Sequence, residues 1–319
     1  MKFIIFSITI FLSIPDCIAH KVEWAVKETQ KITSTVESKQ EVIRYFDDYM
    51  QHYNDYLSDP HNTAVLKSMA DNYHLPAFQV IPTIPLKVLN SSENIAKGSQ
   101  NFLDSLIAQG VASIKWESIH IEMLTKTTAY ASNIGIRYKT NGEAFNKAAA
   151  DFIVLKTENE WKIATLILRS PEPFNNLKIK REVSDFFALY LKNYNRAMAD
   201  DDPIPHLLAA SEDLNIPAIN ISQKGEFLML ESNQQIGANT KGFIFQLKAQ
   251  GASDINYDKT QIKLLTETSA IVSNVASINK IDGTALMKIG VTYIVNKTVT
   301  GWKIILRTIH APNNILNIK

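Results

Sequence analysis

His74 stands in the run Tyr73-His74-Leu75-Pro76-Ala77. A histidine, with an ordinary pKa of about 6.5, takes or gives a proton near neutrality, and a tyrosine hydroxyl can donate to a developing oxyanion. Tyr49 and Tyr53 are four residues apart, as are Tyr190 and Tyr194, so each pair shares one face if its segment is helical. Arg169 and His310 hold equivalent places in the two halves, and an arginine there can hold a carboxylate. Asp151 is the best-placed acid in the first half, but its neighbours Ala150 and Phe152 say nothing of its surroundings, and it is read as a satisfied or solvent-facing acid. His52, His61, His120 and His206 are scattered without metal-ligand spacing, so no metal is expected. No Gly-x-Ser-x-Gly elbow, phosphate-binding glycine loop or dinucleotide fingerprint is present, and no cofactor is expected.

The 319 residues carry 33 Lys and Arg against 32 Asp and Glu, which argues against a nucleic-acid partner. Lys178-Ile179-Lys180-Arg181 is too small a basic stretch to change that and reads as the solvated start of a helix. With 45% apolar and 20% charged residues there is material for two hydrophobic cores. Behind Lys2, an uncharged apolar run of about 12 residues is followed by Pro15 and by Cys17-Ile18-Ala19, the pattern of a secretory signal peptide over 1–19. The run is too short to span a bilayer, so no membrane span is expected in the mature protein, and export to a periplasm or the outside is. Pro15-Asp16 fits poorly before a lipidated cysteine, which argues against anchoring at Cys17. Cys17 is the one cysteine, so disulfide frameworks and cysteine-ligated clusters are excluded.

The elements that must position these side chains are written twice. At an offset of about 141 residues the chain matches itself without a gap from Val42/Val183 to Pro171/Pro312: Leu75-Pro76-Ala77 lies over Ile216-Pro217-Ala218, and Trp161-Lys162-Ile163 over Trp302-Lys303-Ile304. In each copy, apolar residues at spacings of three and four predict a helix, over 39–57 and 179–199. A short second helix (64–71), two short strands (78–81 and 86–89) and a third helix ending at Gly110 or Gly251 follow. The period then changes to two over 114–124, 128–139, 144–157 and 161–169, with Asn141-Gly142 and Asp282-Gly283 as hairpin turns. This predicts an α+β fold in two tandem domains, 37–170 and 178–313, joined by the Pro-stiffened linker 171–177.

Helix, helix, short strands, helix and a long meander closing on Trp-Lys-Ile resemble the nuclear transport factor 2-like (NTF2-like) superfamily, which includes ketosteroid isomerase and SnoaL-like cyclases. The resemblance rests on Tyr73-His74-Leu75-Pro76-Ala77, Gln109-Gly110 and Trp161-Lys162-Ile163, with Leu214-Asn215-Ile216-Pro217-Ala218, Gln250-Gly251 and Trp302-Lys303-Ile304 in the second copy. It implies two cones, each of about three helices on a strongly curved antiparallel sheet, with a pocket between helices and concave face. Period-two reading of the last strand puts Trp161, Ile163, Thr165, Ile167 and Arg169 on the concave face, and Trp302, Ile304, Leu306, Thr308 and His310 in the second copy. The opposite faces, apolar at Leu166, Leu168, Ile305 and Ile309, are expected to pack copy against copy as a built-in pseudo-dimer.

On this reading His74, Tyr49, Tyr53, Tyr73 and Arg169 gather at the first pocket, and Tyr190, Tyr194 and His310 line a second. Asn215 replaces His74 and Thr292 replaces Asp151 in copy two, so the copies share core positions and differ at the chemical ones. The function expected is therefore that of an exported two-domain protein binding a small apolar ligand or a protein partner. The alternative is a SnoaL- or ketosteroid isomerase-like lyase or isomerase with His74 as acid/base in the first domain. Protein isolated from the exported fraction is expected to begin at His20 and to contain no titratable thiol. Recovery of intact Met1 from that fraction would remove the signal-peptide reading.

Overall fold

The computed structural model describes residues 28–317 apart from 83, 159, 201 and 202; the expected signal peptide, 1–19, lies outside the described residues. The first domain runs α1 (Glu28–Ser58), α2 (Thr63–Asp71), β1 (Tyr73–Val80), β2 (Lys87–Leu89), α3 (Ser92–Ala108), β3 (Val111–Met123), β4 (Thr128–Lys139), β5 (Ala144–Thr157) and β6 (Glu160–Arg169). The second repeats it as α4 (Leu177–Ala199), α5 (Ile204–Glu212), β7 (Leu214–Ile221), β8 (Phe227–Leu230), α6 (Asn233–Ala249), β9 (Ala252–Leu264), β10 (Ser269–Lys280), β11 (Ala285–Thr298) and β12 (Gly301–His310). The expected helices and long strands are present.

Local chemistry sets the element ends. Ser91 and Ser232 cap α3 and α6 by accepting from the amides of Asn94 and Gln235, and Gly110 and Gly251 end the same helices at φ of 80° and 84°. Asn54 ties α1 to β3 with two bonds, donating to the Ile114 carbonyl and accepting from its amide; Asn195 does the same for α4 and Ile255 on β9. A half-buried asparagine that satisfies both backbone groups of one strand residue fixes where the long helix crosses the sheet.

Each sheet is curved and six-stranded, in the order β2-β1-β6-β5-β4-β3 and β8-β7-β12-β11-β10-β9. The expected antiparallel sheet is corrected at one pairing: β1 runs parallel to β6, and β7 to β12. The reason is topological. β1 enters the sheet before α3 and the meander and meets the last strand rather than a hairpin neighbour, so no tight turn dictates its direction.

Both faces of each sheet are buried. The helices cover one face, with Phe46, Tyr49 and Trp161 in the first core and Phe187, Tyr190 and Trp302 in the second. The other faces pack on each other through Phe78, Tyr130, Ile153, Ala164 and Ile167 of the first domain and Ile219, Ile271, Ile294, Ile305 and Leu306 of the second. Each fully buried isoleucine there contributes about 1.5–3 kcal/mol. Leu316, beyond β12, joins the same cluster, and the tail around it is held by bonds from Asn314 to the Leu124 carbonyl and from the Asn317 amide to Glu122. The expected pseudo-dimer is this face-to-face pairing of sheets.

Ile305 is there as expected, but Leu166, Leu168 and Ile309 are not, because the last strand carries a bulge. Ile153 pairs with Thr165 and Val154 with Ile163, so Ala164 is an extra residue; in the second domain Ile294 pairs with Leu306 and Val295 with Ile304, leaving Ile305 over. One extra residue reverses every side chain beyond it. Trp161 and Ile163 face the helices as expected, but so do Leu166 and Leu168, while Ala164 and Ile167 face the other domain.

The copies also differ where α2 and α5 end. Asn72 donates to the Ser68 carbonyl, but its counterpart Asp213 has no such proton, and one of its carboxylate oxygens is buried without a partner. Burial raises Asp213 from 3.8 to about 6, against the pull of Lys303. The folded state thus holds this proton more tightly than the unfolded chain, so the stability it contributes is complete below about pH 4 and lost as pH rises through about 6. Asp213→Asn, which restores the first domain's residue, is expected to raise the denaturation midpoint at pH 7 and leave it unchanged at pH 4, measured by chemical unfolding at both pH values.

Candidate functional site

The cone of the second domain is open at its centre. Between α4, α6 and the concave face of β9–β12 lies a cavity of ≈ 50 Å³ lined by Tyr190, Tyr194, Phe243, Tyr257, Tyr293 and Arg307, with aliphatic side chains such as Ile255 and Ile278. Helical spacing on α4 puts Tyr190 and Tyr194 on one face, where the Tyr190 hydroxyl donates to that of Tyr194 at 3.1 Å. Tyr257 on β9 and Tyr293 on β11 face each other at 3.5 Å between hydroxyls. Burial raises the pKa of Tyr190, Tyr257 and Tyr293 well above the ordinary phenol, so these groups stay neutral hydrogen-bond donors.

Arg307 reaches this cavity because of the bulge at Ile305, which turns it inward. Its Nη1 donates to the Tyr194 hydroxyl at 3.4 Å and its Nη2 to Asn239 Oδ1 at 3.2 Å, an oxygen that also accepts from Asn220. Its Nε is buried and has no partner. Among the described residues no carboxylate pairs with it. Burial opposes the charge, but the oxygens of Tyr194, Tyr190 and Tyr293 more than offset this and hold the pKa above the ordinary arginine value. A guanidinium thus sits among neutral groups.

In the first domain different side chains stand at the equivalent positions and pack with its core. Trp116 replaces Tyr257 and donates to the Phe46 carbonyl at 3.2 Å, Tyr73 replaces Leu214, Phe152 replaces Tyr293 and Leu166 replaces Arg307. Tyr49, Tyr53 and Tyr73 do come together, with hydroxyls at 2.8 Å (Tyr49 to Tyr53) and 3.3 Å (Tyr49 to Tyr73). The arginine of this cone is Arg137 on β4, set over the Phe102 ring at 5.4 Å, and its Nε too is buried without a partner.

His74, Arg169 and His310 join neither group. The His74 ring lies against Phe227 of the second domain, 4.1 Å between centroids, with its Nδ1 buried and unpartnered, and burial lowers its pKa. Arg169 and His310 lie beyond the bulge and therefore face the domain interface, which corrects their expected place on the concave face. Arg169 pairs with the fully buried Asp151, which also accepts from Tyr130; Lys263 of the second domain donates to Tyr130 at 3.0 Å and stands 3.7 Å from Asp151. His310 donates from Nδ1 to the Ala311 carbonyl at 2.9 Å, so its Nε2 accepts from Thr292, also at 2.9 Å. Gly290 makes room for this ring: a Cβ there would stand 2.2 Å from Nδ1. Asp151, expected to be satisfied or exposed, is fully satisfied and fully buried.

Arg307, Tyr257, Tyr293 and Asn239 were not among the expected site residues. The signal for Arg307 lay in the repeat: an arginine aligned with Leu166 directly after the apolar run Ile304-Ile305-Leu306. Among the described residues no three His, Cys, Asp or Glu side chains meet as a metal site, and no helix is long and apolar enough to cross a membrane.

The family model described as NTF2-like protein (DUF6841) matches residues 40–171 and again 181–312. The chain belongs to this NTF2-like family. Among solved structures it is similar to an NTF2-like protein with a cystatin-like fold from Novosphingobium aromaticivorans, at 14% identity and TM-score 0.34, covering 42% of this chain and 81% of that one. A ketosteroid isomerase-like protein from Erwinia carotovora atroseptica matches at 14% identity and TM-score 0.31, over 43% of this chain and 98% of its own. A putative scytalone dehydratase from Novosphingobium aromaticivorans matches at 15% identity and TM-score 0.31, over 43% and 89%. No curated protein matches the chain.

Within this NTF2-like protein, leucine is the residue that an apolar cone wants at position 307, as Leu166 demonstrates. An unpaired buried donor costs about 1–3 kcal/mol. Arg307→Leu is accordingly expected to stabilise the second domain by about 1 kcal/mol, seen as a higher unfolding midpoint in a thermal or urea titration.

Proposed function

We propose that this protein binds a small molecule in the cone of its second domain, and that the first domain serves as the structural partner that covers the second sheet. The observation that carries the reading is the cavity around Arg307 and the four tyrosines, at a place where the first domain has Trp116, Tyr73 and Leu166 packed with its core. Keeping a charged side chain in a cavity when the sister domain has a stable apolar solution is costly, and such cost is characteristic of binding sites. The reading retains the expected small ligand and gives it a polar anchor besides the apolar wall. It assigns no proton transfer to His74, which lies against Phe227 outside the cone. Export remains part of the proposal and rests on the amino-terminal pattern of residues 1–19.

The test uses the first domain's own solution. Leu214→Tyr together with Tyr257→Trp copies Tyr73 and Trp116 into the second cone and is expected to fill it without unfolding the domain. Native mass spectrometry of protein purified from its own exported fraction, and ligand-observed NMR against a library of small organic molecules, are expected to find binding to the wild type and none to the filled variant. Binding that survives in the filled variant would place the ligand elsewhere. His74→Ala is expected to bind as the wild type does.

A further inference from the structure

The spare polar groups of Arg307 and the tyrosines are donors, while Asn220, bonded to Asn239, leaves its Oδ1 unpartnered. The Tyr194 hydroxyl accepts from Tyr190 and from Arg307, so its own proton is left without an acceptor among the described residues. Arg307 presents five N–H groups and spends two, on Tyr194 and Asn239, while its Nε is sealed from solvent and unbonded. Of Tyr257 and Tyr293, one hydroxyl can donate to the other, and the second proton is then spare as well. A neutral amide or alcohol brings donors of its own to such a site; an acceptor-only group does not. A carboxylate has two oxygens with about four lone-pair sites and pairs with the edge of a guanidinium through two parallel bonds.

The charge agrees with the hydrogen bonds. A guanidinium among phenols, an asparagine and aliphatic side chains lacks a counter-charge, and a buried cation is compensated when an anion occupies its site. The first domain points the same way by a different route: it has Leu166 where the second has Arg307, and its β6 arginine, Arg169, is paired with Asp151 at the interface, yet Arg137 comes to its own tyrosine cluster from β4 with its Nε likewise unpartnered. Two copies that have lost each other's arginine still each bring one to the end of the Tyr-x-x-x-Tyr pair. Size limits the rest of the ligand. A cavity of about 150 Å³ holds benzene, and this one measures ≈ 50 Å³, room for a short aliphatic body and not for a ring.

We propose that the second domain binds a short-chain monocarboxylate of two or three carbons, its carboxylate on the edge of Arg307 and the hydroxyl of Tyr194 and its alkyl part against Phe243, Ile255 and Ile278. The inference rests on the small-molecule reading above and specifies the ligand class. The full chain, with arginine Nε and tyrosine ring signals followed by NMR, is titrated with acetate and propionate, with propionamide and propanol as neutral counterparts, and with chloride and phosphate. The acids are expected to move the Arg307 Nε–H and Tyr194 signals in a saturable way, with the neutral compounds at least about tenfold weaker, and binding is expected to fall as acid pH protonates the ligand. Arg307→Leu is expected to weaken propionate by about 30-fold or more while folding normally, and Tyr194→Phe by about fivefold.

Equal binding of propionate and propionamide, lost in the filled variant, would overturn the carboxylate assignment and leave the small-molecule site standing. Equal binding of chloride or phosphate and propionate would overturn it in favour of a general anion site. No shift of these signals with any probe, charged or neutral, would overturn the assignment and the small-molecule reading together.

Discussion

Each sheet of this protein has two apolar faces, and one set of helices can cover only one of them. The second face must be covered by something, and the other copy of the domain supplies it. Phe78, Ile153 and Ile167 against Ile219, Ile294 and Ile305 form a core that belongs to neither domain alone. The tail at Leu316 and the reach of Lys263 toward Asp151 and Tyr130 exist only because that face is closed. Duplication within one chain keeps the partner at a fixed effective concentration, with no association entropy to recover.

The closed face permits polar chemistry that an exposed sheet would hydrate. Asp151, Arg169, Tyr130 and Ser132 of the first domain, joined by Lys263 of the second, make a network around the buried Asp151, and Ser273, Thr292 and His310 make a neutral one at the equivalent places in the second domain. These networks look like catalytic groups in a list of residue types. In place they are satisfied, partner to partner, and they hold the two sheets in register. Inside the second cone, by contrast, Arg307 and Tyr194 keep donors without an acceptor among the described residues. The two copies differ here: the first has Trp116 and Leu166 packed with its core, while the second has a cavity lined by Tyr257 and Arg307.

A single residue in each last strand decides which groups go where. With Ala164 and Ile305 bulged out, Leu166 and Arg307 turn inward, and Arg169 and His310 turn toward the interface. Without the bulge Arg307 would face the other domain's core, where no partner in the described structure awaits it, and His310 would enter the cone. Bulges near functional sites commonly re-aim a side chain in this way. Gly290, whose missing Cβ gives the His310 ring its place, fits the same arrangement.

The repeat, the helix faces and the hairpin turns were legible in the sequence because they follow from local periodicity and from comparison of the chain with itself, whereas the pseudo-dimer was expected from the family resemblance. The tyrosine pairs Tyr49–Tyr53 and Tyr190–Tyr194 were legible for the same reason, since a helix places i and i+4 together whatever surrounds it. The parallel pairing of β1 with β6, the interface positions of His74, Arg169 and His310, and the inward turn of Arg307 were not. A strand's faces are known from sequence only modulo its bulges, and a bulge is a property of the pairing between two strands, absent from either one read alone. The amino-acid sequence determined that there would be two copies of one domain; only the tertiary structure decided what would stand inside each, and by how much a one-residue slip would separate a buried ion pair from an unpaired arginine.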